Sequence, residues 1–232
     1  MKIAVSCLFI SILFFSCGRV SEKKIKDIKH VNPLLETPEG IYQAYFSPVN
    51  SGIAGMANGN ALIKLFNNQF SIYVSMQDLP QSLHPQYLYQ GSRCPGPEDD
   101  LNQDGHIDAI EGEEVYGKAL IPLDYNLSSQ LEDDQKFPKA NRIGSYNYNQ
   151  FVDWKIMTKE LTLTDSNLHD HVIKLRDPLN IEGKVIVIHG IDNSIYLPSS
   201  VEGYSHADIR NSLPIACAKI YWISDSDNDE IR

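Results

Sequence analysis

The sequence is short of positive charge. Twenty Lys and Arg stand against 30 Asp and Glu, a formal net charge of −10 over 232 residues. Phosphate binding needs a basic surface, so this balance argues against nucleic acid as a partner. It fits cation binding, or plain solubility. Cysteine is also scarce. There are four, Cys7 and Cys17 near the start and Cys94 and Cys217 in the body. No Gly-x-Ser-x-Gly stretch occurs, and neither serine nor cysteine sits in a catalytic motif. Internal repeats are absent, as is any long segment of 3.6-residue periodicity. The apolar run Ile3 to Phe15 is too short for a comfortable membrane span.

That run does have the length of a signal h-region, and Lys2 is a short positive n-region before it. It ends in Phe14-Phe15-Ser16-Cys17-Gly18. A small residue, Cys and Gly directly after an apolar run resemble a bacterial lipoprotein cleavage site. The resemblance implies that Cys17 is lipidated as the first residue of the mature chain, which anchors the protein to a membrane. Phe14 and Phe15 depart from the usual Leu-Ala or Leu-Ser pair, and an ordinary secretory signal cut nearby is the alternative. Either way the chain is exported, to the outer membrane, the periplasmic face or the cell surface. Residues 1–17 are then a signal peptide. Residues 18–39 form a polar tether whose Arg19, Lys23, Lys24, Lys26 and Lys29 either meet anionic headgroups or are simply solvated. In an oxidising compartment the two body cysteines, Cys94 and Cys217, read as one disulfide. Two separate buried thiols are the other possibility.

From Ile41 the pattern becomes that of strands. Ile41–Phe46, Ala61–Phe66 and Phe70–Met76 alternate or run apolar, with Asn67-Asn68 as a hairpin turn between the last two. Further strands are expected at Gln86–Gln90, Lys118–Leu123, Ser145–Val152, Lys159–Thr164, His171–Leu175, Lys184–His189 and Ile215–Ile223. Val185-Ile-Val-Ile188 is continuously apolar, as a strand buried on both faces would be. Short strands between Gly, Asn, Asp and Pro turns indicate an all-β sandwich or barrel over residues 40–223, followed by an acidic tail at 224–232. Two long loops interrupt it, Gly91 to about Gly117 and Asp192 to Leu213. Loops of that length in a compact domain usually carry function.

The first of these loops holds the most specific motif in the chain, DLNQDGHIDAIE at residues 100–111. Its first, third, fifth, ninth and twelfth places are Asp100, Asn102, Asp104, Asp108 and Glu111, with Gly105 at the sixth. Calcium takes six to eight oxygens, and an EF-hand loop supplies them from these places plus a backbone carbonyl at the seventh, here that of His106. Glu111 would bind through both oxygens, Asp108 through a water, and Ile107 at the eighth place would anchor the loop in the protein. A true EF-hand's flanking helices are missing. Cys94-Pro-Gly-Pro97 forbids a long entering helix, and Gly112 and Gly117 limit the exiting one. The expectation is an EF-like calcium loop within a β protein, with a structural ion. An acidic solvated loop is the alternative.

Three further stretches resemble the copper/zinc superoxide dismutase family. Leu83-His84-Pro-Gln-Tyr87-Leu-Tyr89-Gln is similar to its Leu-His-Gly-Phe-His-Val-His-Glu strand. Lys184-Val-Ile-Val-Ile-His189 resembles its late strand ending in a copper-binding His. Leu213-Pro-Ile-Ala-Cys217-Ala-Lys-Ile220 resembles its C-terminal Arg-Leu-Ala-Cys-Gly-Val-Ile. The whole looks most like exported bacterial proteins with a dismutase-like, chordin-type β domain. The resemblance implies an eight-stranded Greek-key barrel and a Cys94–Cys217 bridge. It does not imply the activity. Two copper-ligand positions fall on Tyr87 and Tyr89, only His189 keeps the ligand type, and His106 is the one imidazole in the metal-loop region.

Weaker candidates are His169-Asp-His171, a conceivable transition-metal pair, and Asp225–Glu230, which starts like a calcium loop but lacks its glycine. Asn126-Leu-Ser128 is a glycosylation pattern of little weight in a bacterium. Three functions remain in view. One is a non-catalytic, calcium-binding envelope lipoprotein that acts by binding an unidentified protein or envelope partner. The others are a copper/zinc enzyme of the dismutase type and a metal-free adhesion or matrix module.

Overall fold

Asn67 and Asn68 both have positive φ, 51° and 63°. Asparagine tolerates that left-handed region better than most residues, and two such residues in succession make the two-residue hairpin turn expected there. They join β2 (Asn58–Phe66) to β3 (Gln69–Gln77), which pair antiparallel over their full lengths. The structure, a computed structural model, describes residues 39–129, 136–162, 179–205 and 207–224. The signal segment, Cys17, the tether up to residue 38, His169, His171, the strand expected at His171–Leu175 and residues 225–232 lie outside the described residues.

The remaining strands are β1 (Gly40–Pro48), β4 (Gln86–Tyr89), β5 (Ala119–Pro122), β6 (Tyr146–Asp153), β7 (Val185–His189) and β8 (Pro214–Ser224). Together they form one eight-stranded antiparallel sheet in the order β5-β4-β7-β8-β1-β2-β3-β6. The sheet curls into a half-barrel, in which β8, 11 residues long, pairs with β7 on one side and β1 on the other. The chain is all-β in class, with four helices of nine residues or fewer among the described residues, α1 (Ser51–Ala54), α2 (Ala109–Tyr116), α3 (Trp154–Thr162) and α4 (Ile209–Ser212).

Alternation sets the core. Tyr42, Ala44, Ala61, Ile63, Ile72, Val74 and Tyr148 point inward, and the residues between them point out. β7 is buried along its entire length, as its continuous apolar run implies. Its two faces serve different cores. Ile186 and Ile188 join the main interior. Val185 and Val187 join a second cluster with Tyr87, Tyr89, Ile107, Tyr116, Phe137 and Cys217. This second cluster lies on the outward face of β4, β7 and β8. Cys94 packs against it and is bonded to Cys217, with Cα atoms 5.7 Å apart.

One expected strand is a helix instead. Of Lys159–Thr164, residues 159–162 belong to α3 (Trp154–Thr162). Trp154, Met157 and Thr158 are all buried, a spacing of three and four that only a helix places on one face. Asp153 starts it, its Oδ1 accepting from the N–H groups of Lys155 at 2.8 Å and Ile156 at 3.3 Å. The alternating Leu and Thr residues at 161–164 suggest a strand by local propensity. The tryptophan anchor upstream outweighs it.

Candidate functional site

Two features lie on the outer side of β4, β7 and β8. The first is the acidic loop. It begins with a short 3₁₀ turn at Pro97–Asp99 rather than a helix, as the prolines require. Arg93 holds that turn with two bonds to the Asp99 carboxylate, 2.7 and 2.8 Å, and this pairing keeps the Asp99 carboxyl below its usual range. The loop leaves through α2 (Ala109–Tyr116). Asp108 and Glu111 form a reciprocal cap. The Asp108 Oδ1 accepts from the N–H groups of Ile110 and Glu111, and the Glu111 Oε2 accepts from that of Asp108. Gly112 interrupts the sequence pattern but not the helix. A Cβ there would stand 2.5 Å from the Tyr116 hydroxyl, so the glycine makes room for that ring. Gly117 ends the helix.

Between these ends the backbone winds round its own acids. Gln103 has φ 59° and Gly105 φ 87°. Asp100 accepts from the N–H groups of Asp104 at 3.1 Å and Gly105 at 2.9 Å. Asn102 Oδ1 accepts from Asp104 N–H at 2.9 Å, and Asp104 Oδ1 from His106 N–H at 2.9 Å. Glu111 Oε1 reaches back to the N–H groups of Leu101 at 2.8 Å and Asn102 at 3.1 Å, which closes the twelfth place onto the second and third. Asp108 and Glu111 are buried although they are carboxylates. Burial alone would raise the Asp104 carboxyl. Hydrogen bonds from the Ser200 hydroxyl and the His106 N–H outweigh it and hold that carboxyl below its ordinary value.

Among the described residues, no three His, Cys, Asp or Glu side chains converge into a metal-holding group. The acid oxygens face backbone N–H groups instead. An ionised carboxylate offers about four lone-pair sites, so an oxygen that accepts one N–H retains capacity for a cation. The donors at Asp100, Asn102, Asp104, Asp108, Glu111 and the His106 carbonyl are all oxygens, the set a hard divalent cation takes.

Two anchors of this loop have no local signal in the sequence. Asn50, itself at φ 57°, lies 57 residues from Ile107 yet binds both its backbone groups. Its Oδ1 accepts from Ile107 N–H at 2.8 Å, and its Nδ2 donates to the Ile107 carbonyl at 2.7 Å and to that of Pro214 at 2.9 Å. Ile107, expected to anchor the loop, is buried in the second core. The other long loop covers the acids. Ser200 Oγ donates to Asp104 Oδ2, Glu202 N–H donates to Asp108 Oδ2 at 2.8 Å, and Asn102 Nδ2 donates to the Ser200 carbonyl at 3.3 Å. Asn50→Gly keeps the positive φ but removes the amide. It should cost about 2 kcal/mol, since partly buried backbone groups lose their partners. It should also weaken any calcium binding by the loop. Urea melts with and without calcium check both effects.

The second feature surrounds His189. This ring is buried and fully engaged. Its Nδ1 lies 2.7 Å from the Ser212 carbonyl and its Nε2 2.8 Å from the Tyr89 hydroxyl. A carbonyl can only accept, so the neutral ring carries its proton on Nδ1 and accepts from Tyr89 at Nε2. The rings of Tyr87, Tyr89 and Tyr116 pack around it at centroid distances of 5.8, 5.9 and 6.2 Å. Burial pushes the Tyr89 and Tyr116 hydroxyls well above the usual phenol value. His84 is likewise buried, its Nδ1 3.0 Å from the His189 carbonyl and its Nε2 3.0 Å from that of Pro80. Burial lowers its pKa, and the two carbonyls offset this only in part. The positions singled out by resemblance, Tyr87, Tyr89 and His189, therefore do come together. Tyr116 and Tyr204, which complete the cluster, stood out in no motif.

No known family's model matches this chain, and no curated protein matches it. Among the described residues no helix is long and apolar enough to cross a membrane.

Proposed function

We propose that the chain is a non-catalytic, calcium-binding β-domain lipoprotein of the bacterial envelope, in which the ion is structural and function lies in binding a partner. The observation that carries this reading is the closure of the acidic loop. Glu111 at its twelfth place accepts from the N–H groups at its second and third, around a turn with positive φ at Gln103 and Gly105. Calcium would be held by Asp100, Asn102, Asp104, the His106 carbonyl, Asp108 and Glu111. It would neutralise four carboxylates that otherwise repel one another. An extracellular module of this kind binds at roughly 10⁻⁴ to 10⁻³ M, which keeps it occupied outside cells without making it a switch. Cys17 would anchor the mature chain through lipid, with residues 18–39 as the tether.

A dismutase-like Greek-key fold is part of the same proposal. The strand order supports it: β3 lies beside β6 and β4 beside β7, each pair separated in sequence by other strands of the sheet. The gathering of Tyr87, Tyr89 and His189 beneath a disulfide-tied loop supports it too. The hydrogen bonds around His189 favour a non-enzymatic reading. Both ring nitrogens are committed, and the phenols beside it are hard to ionise. Copper-loaded protein should therefore show no superoxide dismutation above that of free copper. A copper-dependent rate abolished by His189→Ala would establish the enzyme instead. Metal analysis of the folded, chelator-free protein tests the whole proposal. Calcium alone supports it, copper or zinc supports the dismutase-type enzyme, and no metal supports the adhesion module.

A further inference from the structure

The outer face of β8, β1, β2, β3 and β6 lies opposite the main core and meets, at β8, the side that carries the acidic loop. Strand register places its side chains in rows. One row runs Tyr221, Gln43, Leu62, Tyr73, Asn149. The next runs Tyr45, Asn60, Ser75, Asn147. On the other side lies Ile41, Lys64, Ser71, Phe151. Tyr45, Tyr73, Tyr221 and Phe151 are exposed, Tyr45 at 65% and Phe151 at 70%. Water-facing strand positions ordinarily carry charge. Here a chain with ten surplus acids places no carboxylate in three rows, and two lysines, Lys64 and, at the β8 end of the second row, Lys219. Aromatic rings alternate instead with amides and hydroxyls.

The geometry points to a neutral polysaccharide as the occupant of this face, an extended β-1,4-linked chain of the cellulose or chitin type. Sugar rings of such chains hold their hydroxyls at the rim and expose C–H faces that lie flat on aromatic rings. Tyrosine supplies such a platform at low conformational cost, with a hydroxyl at its tip. Asn and Gln supply paired donors and acceptors for neighbouring sugar hydroxyls. Part of this array is already set. The Tyr73 hydroxyl donates to Asn147 Oδ1 at 2.9 Å, which fixes that amide and turns its NH₂ away from the tyrosine. Tyr221 and Tyr73 are three strand intervals apart, about 14 Å, so the rings match a linear oligosaccharide of several units rather than one sugar. Charge separates this occupant from others. Nucleic acid and anionic lipid need a cluster of basic residues, and the three rows hold only Lys64 and, on a different strand and row, Lys219. A cationic partner would find no carboxylate in these rows, and Asp153 in the row beyond Phe151 is taken up by the start of α3.

This inference supplies the partner class for the binding role proposed above, and it can fail without the calcium reading failing. Full-length protein in detergent is titrated with cellohexaose and with chitohexaose, and tested for retention on insoluble cellulose and chitin. We expect saturable binding to at least one probe, unchanged by added salt because no charge pair is formed. Tyr73→Ala and Tyr221→Ala should each weaken it about three- to tenfold. Melting temperature and calcium response should stay as in the wild type, because these rings are exposed. Tyr73→Phe should retain most of the affinity. No binding to any of these probes by folded protein overturns the proposal, as does binding that both alanine variants leave intact. Self-association lost in the same variants assigns the face to a second copy, and capture by anionic vesicles alone assigns it to a lipid surface. Either result also overturns it.

Discussion

Reducing the Cys94–Cys217 bridge, or replacing Cys94 with Ala, should lower the melting temperature by about 10–20 °C. The two residues are 123 apart in sequence. In the chain-entropy account, a cross-link over that span removes about 5 kcal/mol of freedom from the unfolded chain. The bond also has a local task. It ties the segment that leads into the acidic loop to β8, at the edge of the core formed by Val185, Val187, Tyr89 and Tyr116. That core sits outside the sheet, where the acidic loop and the short helix α2 pack over it. Loss of the bridge should therefore loosen the loop before it unfolds the main interior, and calcium affinity should fall along with stability. Differential scanning calorimetry with and without reductant measures the first effect, and calcium titration of Cys94→Ala measures the second. A shift of only a degree or two would show that the packing of β4, β7 and β8 holds this side unaided.

Chelation should likewise lower the melting temperature, and excess calcium should restore it. An ion that binds the native loop but not the unfolded chain stabilises by about 2.7 kcal/mol at 100 times its dissociation constant. For a domain of this size that is about 5–11 °C. Magnesium should restore little, because it demands a tighter octahedral shell and keeps its waters. Glu111→Gln should remove most of the calcium effect. Glu111 lies at the loop's closing point, bound to the N–H groups of Leu101, Asn102 and Asp108. The glutamine keeps the shape of that group but loses one acceptor oxygen and the charge.

Most strands could be read from sequence because each is an alternating or apolar run bounded by turn residues, and Asn67-Asn68 marks its hairpin plainly. The helix α3 could not be read that way. Its local residues favour a strand, and the burial of Trp154 that decides the matter depends on Phe70, a ring 5.4 Å away and distant in sequence. The acidic loop was legible because oxygen ligands at fixed places leave a pattern within twelve residues. Its supports were not. Asn50 and the Ser200–Glu202 segment reach it only through the fold, and their hydrogen bonds to Ile107, Asp104 and Asp108 follow no spacing in the chain. Tyr116 shows the same limit. Its position after the loop could be seen, but its packing against His189 arises from the turn of α2 over β4 and β7.

Calorimetric titration of calcium into wild-type protein and Glu111→Gln tests the central claim most directly. The loop as a site predicts a saturable, single-site heat in the wild type at millimolar calcium or below, and its near loss in Glu111→Gln with the fold intact. A wild type with no saturable heat at millimolar calcium, or a variant that titrates like the wild type, would contradict it. The loop would then be an acidic surface held together by its own backbone hydrogen bonds.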